Sequence, residues 1–307
     1  MIEHVKIEKL NGKYDYDLTF NRDINIITGR NGAGKTTLMK LLWAAVSGNI
    51  NKFNDELDYL NLNIKFYGDG KIHNLTRQNN IIFKRFTSLF LPTFRRIEGG
   101  FYEFFSSTWA EIRAEQYQQN YRNKIIFAVG TTDIAALIKS KYADISAQIR
   151  DLEEAQNKFT TDLIHNRNGS DADAIFGKIE DKINETNEKK NTLLNPFTVL
   201  GELVAQFLDK EKTLSYEELI NVIDSDKLSS GEKQMLSFLS YCIFYENAII
   251  FIDEPELSLH VDWQRLFVPT LLKLNTSNQY FMATHSPFIY SRYPDKEINL
   301  DENRGGE

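Results

Sequence analysis

The sequence predicts an α/β fold: a buried parallel sheet flanked by helices, an antiparallel β portion near the N-terminus, and a helical insertion in the middle. Three observations predict it. Two continuous apolar runs, Ile24-Asn25-Ile26-Ile27-Thr28 and Ile249-Ile250-Phe251-Ile252, have the length and β-branched content of strands covered on both faces. The first opens into a glycine-rich loop and the second ends in Asp253-Glu254. Between them, from about residue 131, apolar residues recur at alternating steps of four and three, the period of packed helices. With 307 residues the chain suffices for one large domain carrying a sizeable insertion.

Composition narrows the classes. Hydrophobic content of 42% with 26% charged residues is that of an ordinary globular protein. The net charge of −7 excludes a basic nucleic-acid coat, although a local basic groove is compatible with it. The single cysteine, Cys242, cannot form an internal disulfide and fits a reducing, cytoplasmic setting. It falls in an apolar helical run and reads as a core residue. His4, His73, His165 and His260 lack metal-ligand spacing, which together with the single cysteine argues against a zinc site. No signal peptide opens the chain, and the longest apolar region, 235–252, contains Glu246 and Asn247 and reads as a helix followed by a strand, with no membrane span.

The elements follow in order. Residues 1–28 read as strands, with Met1 to Ile7 resembling an edge strand and Asn11-Gly12 and Asn21-Arg22-Asp23 supplying turns. Gly29-Arg30-Asn31-Gly32-Ala33-Gly34-Lys35-Thr36 is G-x-x-x-x-G-K-T, a phosphate-binding loop, and strand, loop and helix stand in the right sequence around it. Its glycines let successive backbone N–H groups face phosphate oxygens, and the helix N-terminus adds partial positive charge. Arg30, Asn31, Gly32, Gly34, Lys35, Thr36 and Thr37 are therefore the expected nucleotide-binding residues. Lys35 is expected to reach the β- and γ-phosphates, and the Thr36 hydroxyl to ligate Mg²⁺. The helix is expected to end at Ser47-Gly48. Residues 60–67 and 71–77 alternate around Gly68-Asp69-Gly70 and predict a hairpin; Ser88-Leu89-Phe90-Leu91 predicts a short strand stopped by Pro92. Residues 101–121 are rich in aromatics, read as core, and 125–129 reads as a further strand.

Thr132 or Asp133 is placed to cap the first inserted helix. Ile138, Tyr142, Ile145, Ile149, Leu152, Gln156, Phe159 and Leu163 then form a seam of about four heptads. A poorer seam of Ile175, Ile179, Ile183, Thr186, Leu193 and Leu194 follows the loop 165–171. Together they predict an antiparallel, coiled-coil-like hairpin about 35–40 Å long that stops at Asn195-Pro196. Two ordinary amphipathic helices packed on the main domain are the plainer alternative. The expected domains are a head of 1–130 and 220–307, and an insertion of 131–219.

Leu228-Ser229-Ser230-Gly231-Glu232-Lys233-Gln234 precedes an apolar helix. A serine there is a good N-cap, and its hydroxyl at a positive dipole end also suits a γ-phosphate. Asp253 and Glu254 end a buried strand, where ligands of open α/β sheets sit. Asp253 is expected to hold Mg²⁺ and Glu254 to polarise an attacking water. A last strand, Gln279-Tyr280-Phe281-Met282-Ala283-Thr284, delivers His285 to its tip as a hydrogen-bonding sensor.

In this order the motifs resemble the ABC-type ATPases, and within them the RecF, SMC and OLD-like branch. The likeness rests on Gly-Arg-Asn-Gly-Ala-Gly-Lys-Thr, Leu228-Ser-Ser-Gly-Glu-Lys-Gln, Ile-Ile-Phe-Ile-Asp-Glu-Pro-Glu-Leu-Ser-Leu-His and Thr284-His285. The stretch Phe90-Leu91-Pro92-Thr93-Phe94-Arg95-Arg96-Ile97-Glu98 is similar to a segment of standalone anti-phage ATPases of the PARIS and Septu types. The resemblance implies a P-loop NTPase head that binds ATP and Mg²⁺ and pairs with a second copy. Ser229 and Gly231 of one copy would close the site of the other. It further implies an ATPase, with Glu254 and His285 in catalysis, serving as sensor or scaffold of a defence system with a separate effector, a nuclease. The 22 residues after His285 leave no room for a C-terminal nuclease domain of the OLD type. A RecF- or SMC-like DNA repair or chromosome-maintenance ATPase is the alternative. The branch's usual glutamine loop has no counterpart after Leu91; Arg95 or Arg96 is the candidate substitute, and Gln78 lies too early. Tyr14 and Tyr16 are the candidates for contact with the base.

Overall fold

A computed structural model describes residues 1–53, 57–76, 87–91, 123–125, 131–165, 172–223, 228–257, 259–274 and 277–305. The residues from Pro92 to Glu98, Gln78, the aromatic stretch 101–121 and the loop 166–171 lie outside this set. The chain divides into two compact units, Met1–Val129 with Tyr245–Glu307, and Gly130–Phe244. Residues 220–244, expected with the head, group with the helical unit.

The first unit holds two sheets. One is antiparallel, in the order β11 (Arg304–Gly305), β2 (Tyr14–Thr19), β1 (Ile2–Leu10), β4 (Asn61–Phe66), β5 (Ile72–Leu75). Strand β1 is central, paired on both sides, and not the edge strand its first residues suggest. The nine-residue strand buries Ile2, Val5, Ile7 and Leu10, and a bulge between Ile7 and Leu10 carries Lys9 into the left-handed region. The hairpin of β4 and β5 forms as the glycine turn predicts.

The other sheet is parallel, in the order β10 (Glu297–Asn299), β3 (Ile24–Thr28), β9 (Gln279–Ala283), β8 (Ala248–Asp253), β6 (Thr87–Leu91), β7 (Asn123–Ile125). Strands β3, β8 and β9 are buried at every position, which is why they read as mainly apolar runs; the buried Asn25 and Gln279 are hydrogen-bonded. Helix α1 (Lys35–Ser47) crosses the sheet and ends at Gly48 in the left-handed cap the sequence predicts. Its Trp43 packs against Phe53 and Phe90, and the chain of rings continues through Phe251 and Phe281 to Phe20. Each such pair is worth about 0.5–1.5 kcal/mol beyond area burial. The two sheets are tied by Gln279: its Oε1 accepts from Ile2 N–H at 2.7 Å, and its Nε2 donates to the carbonyls of Ile2 and Asn21.

The second unit is helical: α2 (Thr131–His165), α3 (Ala172–Phe207), α4 (Tyr216–Ile223) and α5 (Ser230–Phe244). Helices α2 and α3 run antiparallel. Tyr142 meets Phe197 edge-on, and Lys190 donates to Glu153 at 2.6 Å. Seven of the eight α2 seam residues are shielded; Phe159 is 38% exposed, with Lys182 over its ring. On α3, Ile183 turns outward, and the stem and charge of Lys190 fill the seam where apolar residues thin out. Helix α3 does not stop at Asn195-Pro196. Burial of Phe197, Leu200, Val204 and Phe207 carries it eleven residues past Pro196, against a proline penalty of about 3 kcal/mol. Each helix therefore spans about 52 Å at 1.5 Å per residue, longer than the sequence expectation. Helix α2 begins at Thr131, so Thr132 and Asp133 lie inside its first turn.

Gly201 shows why α3 needs a glycine near its end. A Cβ there would stand 2.2 Å from the carbonyl oxygen of Leu214, whose N–H donates to the Gly201 carbonyl. The clash involves backbone, so Gly201→Ala is expected to destabilise the helical unit by about 3 kcal/mol or more. Denaturant unfolding followed by circular dichroism measures it; a midpoint equal to the parent's would refute the close approach.

Candidate functional site

The tips of β3, β9 and β8 lie side by side. Strand β9 is paired with both neighbours, so the glycine loop, Thr284-His285 and Asp253-Glu254 issue from three adjacent parallel strands. Ligand sites of open α/β sheets form at this end.

The loop has the backbone that its glycines permit. Gly29, Gly32 and Gly34 have φ of 141°, 80° and 89°, and Gly34 is the N-cap of α1. Side chains at these φ values are strained, and at Gly29 a Cβ would also press on Ala33 at 3.1 Å. Arg30, Asn31 and Gly32 are exposed, Gly34, Thr36 and Thr37 are half-buried, and Lys35 is 6% exposed. The Lys35 ammonium folds back on its own loop, donating to the carbonyls of Gly29 at 3.0 Å and Arg30 at 3.3 Å. Burial lowers its pKa from the ordinary lysine value, and Glu254, Asp253, Asp301 and Glu256 pull partly the other way.

The Thr36 hydroxyl stands 3.1 Å from both carboxylate oxygens of Asp253, which is 4% exposed. Residues 217 positions apart thus face each other across the site. A hydroxyl and a carboxylate so placed are hard oxygen donors that suit Mg²⁺, which takes one or two protein ligands and fills its shell with water and phosphate oxygens. Glu254 follows with φ 47°, a left-handed conformation unusual for a residue with a side chain; its N–H caps the Ala283 carbonyl at 2.8 Å. His285 is exposed at the tip of β9.

Ser229 and Gly231 belong to the helical unit. Ser229 is the N-cap of α5 in a reciprocal box: its N–H donates to Glu232 Oε2 at 2.6 Å, and Glu232 N–H donates to its hydroxyl at 3.3 Å. Ser229 is exposed and Gly231 buried, and residues 230–234 form the opening of the helix that the sequence places from 235.

Three residues of the site differ from the sequence expectation: Tyr16, a candidate base contact, has another role, and Asp301 and Glu256 carry no assigned role in the sequence. Tyr16 is buried, and its hydroxyl donates to the Ala33 carbonyl at 2.8 Å; it braces the loop from below and has no face free for a base. Tyr14, half-buried, leans on it. Asp301 accepts from the Arg30 N–H at 2.6 Å and meets its guanidinium at 3.5 Å. It lies just past β10, where Thr28 bonds Glu297 and Leu300 N–H donates to the Thr28 carbonyl. The third, Glu256, binds Thr284 and His285. No local motif marks Asp301; only the pairing of β10 with β3 brings it to the loop. Asp301→Ala is expected to raise the Kd for Mg-ATP about five- to tenfold by freeing the start of the loop. Titration with a fluorescent ATP analogue measures it, and an unchanged Kd would show that Asp301 does not brace the loop.

Among the described residues no helix is long and apolar enough to cross a membrane. Solved structures to which the chain is similar include the Smc head domain with an extended coiled coil bound to the C-terminal domain of ScpA, from Pyrococcus furiosus, at 12% identity and TM-score 0.44. They also include the SmcHead bound to the C-winged helix domain of ScpA, at 12% identity and TM-score 0.45. Each match covers 94% of this chain and 91% of the other. Residues 58–291 match the family described as "AAA domain, putative AbiEii toxin, Type IV TA system". That span is well over half of the chain, and the chain belongs to this AAA domain family.

Proposed function

We propose that this protein is an ATP-binding and ATP-hydrolysing ABC-type ATPase that dimerises around ATP. It acts as sensor or scaffold of a bacterial anti-phage defence system and controls a separate effector, a nuclease. The observation that carries the ATPase reading is the meeting of Thr36 with Asp253 beside Lys35, at the tips of adjacent parallel strands. Backbone N–H groups of Asn31, Gly32 and Gly34 to Thr37 cradle the phosphates, while the Arg30 N–H stays on Asp301. Lys35 turns from its loop carbonyls to the β- and γ-oxygens. Thr36 and Asp253 would hold Mg²⁺, which would supply neutralisation of the negative charge that develops during phosphoryl transfer. Glu254 accepts a proton from the attacking water, and His285 hydrogen-bonds the γ-phosphate. Ser229, exposed at the start of α5, and Gly231 in the first turn behind it serve a second copy's nucleotide through the hydroxyl and the helix N-terminus.

The defence role is supported by the likeness to PARIS- and Septu-type ATPases and agrees with the family description, which names a toxin of a two-part system. Two experiments test the reading. Purified protein should release phosphate from ATP with Mg²⁺ and not with EDTA. Affinity purification from its native operon should recover the effector. Recovery of chromosomal DNA with tight, salt-resistant binding would favour the repair ATPase instead.

A further inference from the structure

Glu256 has no part in the roles assigned above, yet its carboxylate is the hub of the turn that follows Glu254. Its Oε2 accepts from the Thr284 hydroxyl at 2.8 Å, and its Oε1 accepts from the His285 N–H at 2.7 Å. Both oxygens are spent on the tip of β9. The buried Thr284 oxygen accepts in turn from Ser286 N–H at 2.9 Å. The Ser286 hydroxyl donates to Gln264 Oε1 at 2.6 Å, on α6 (Val261–Lys273). The Gln264 amide donates to the carbonyls of Leu259 at 2.8 Å and Glu256 at 3.4 Å. The ring therefore closes on the residue where it began, with a donor facing an acceptor at every link.

We propose that Glu256 is the positioning residue for His285. It fixes where the histidine stands relative to Glu254, two residues upstream, and so sets the rate of hydrolysis without touching nucleotide. The pairing of β9 with β8 ends at Ala283, so at His285 a side-chain carboxylate supplies the acceptor that a strand supplies further back. Only an ionised carboxylate offers two strong acceptors to a hydroxyl and an amide at once. A glutamine keeps the shape but must present its NH₂ to one of two donors. The link through Gln264 ties the same hub to the first turns of α6, so the histidine, the acidic turn and the helix are set as one unit.

This inference rests on the ATPase reading, and the experiment separates the two. Phosphate release is measured for wild type, Glu256→Gln, Gln264→Ala, His285→Ala and the doubles with His285→Ala, with affinity from a fluorescent ATP analogue and folding from thermal melts. Glu256→Gln is expected to lower turnover about tenfold or more and Gln264→Ala severalfold, while Kd moves by less than about twofold. In the His285→Ala background Glu256→Gln should cost nothing further, a result that general loosening of the fold does not produce. If Glu256→Gln does not fold, Gln264→Ala carries the same test. Additive losses in a protein that hydrolyses ATP would overturn the role of Glu256 and leave the ATPase reading intact. A folded wild type that neither binds nor hydrolyses ATP would overturn both.

Discussion

Lys35→Ala is expected to abolish ATP binding. The wild-type ammonium is held within the loop by two carbonyls and feels the charges of Glu254, Asp253, Asp301 and Glu256. Four acids around one lysine make a site that repels a triphosphate once the lysine is gone. The measured effect should be loss of saturable binding of a fluorescent ATP analogue, and loss of the nucleotide-dependent rise in melting temperature. Ligand at a hundred times its Kd stabilises a fold by about 2.7 kcal/mol, so the signal is large. Stability without nucleotide should go the other way. The folded protein lowers the pKa of Lys35, so it binds fewer protons there than the unfolded chain between the folded and the unfolded pKa. In that window stability rises with pH; below it the charged lysine is penalised in full. Lys35→Met keeps the aliphatic stem and removes the charge, and the carbonyls it leaves belong to the half-buried Gly29 and the exposed Arg30. Its melting temperature at neutral pH should equal or exceed that of nucleotide-free wild type. A variant that still binds ATP would remove Lys35 from the site.

The division between what could be read from the chain and what could not follows the range of the forces involved. The glycine loop, its strand and its helix are legible because one local conformation needs Gly29, Gly32 and Gly34, and the flanking runs carry their own period. The acidic strand tip is legible because a strand buried on both faces leaves polar residues only at its end. Asp301 is not legible, and Tyr16 reads as a base contact instead of a brace, because their roles are set by which strand lies beside which: β10 beside β3, β2 on β1. Nothing in a run of ten residues encodes that. The end of α3 was misread for a related reason. Proline is a strong local signal, yet Phe197, Leu200 and Val204 bury enough apolar surface beyond it to carry the helix through. The same holds for β1, whose opening residues look like an edge until β4 is seen paired along its other side.

Glu254→Gln should separate binding from hydrolysis and expose the assembly. Glu254 is held in a left-handed backbone, at a cost of about 1–2 kcal/mol for a residue with a Cβ. The Ala283 carbonyl keeps it there by accepting its N–H. Strain of this kind gathers where a side chain must be aimed, and the turn aims the carboxylate from the same strand tip that presents Asp253 to Thr36. Glutamine preserves the backbone and the size of the side chain but cannot take a proton from water. Turnover should fall about a hundredfold to ten-thousandfold with nucleotide affinity retained. If Ser229 and Gly231 of a second copy close the site, ATP that is bound and not consumed should hold two copies together. Light scattering after gel filtration with ATP and Mg²⁺ should then show Glu254→Gln at twice the monomer mass or more, and Glu254→Gln combined with Ser229→Arg at the monomer mass. Arginine at that exposed cap adds bulk and charge where the partner's triphosphate would have to dock. Glu254→Gln that remains monomeric at saturating ATP would refute the sandwich, and a dimer indifferent to Ser229→Arg would place the contact elsewhere on the surface.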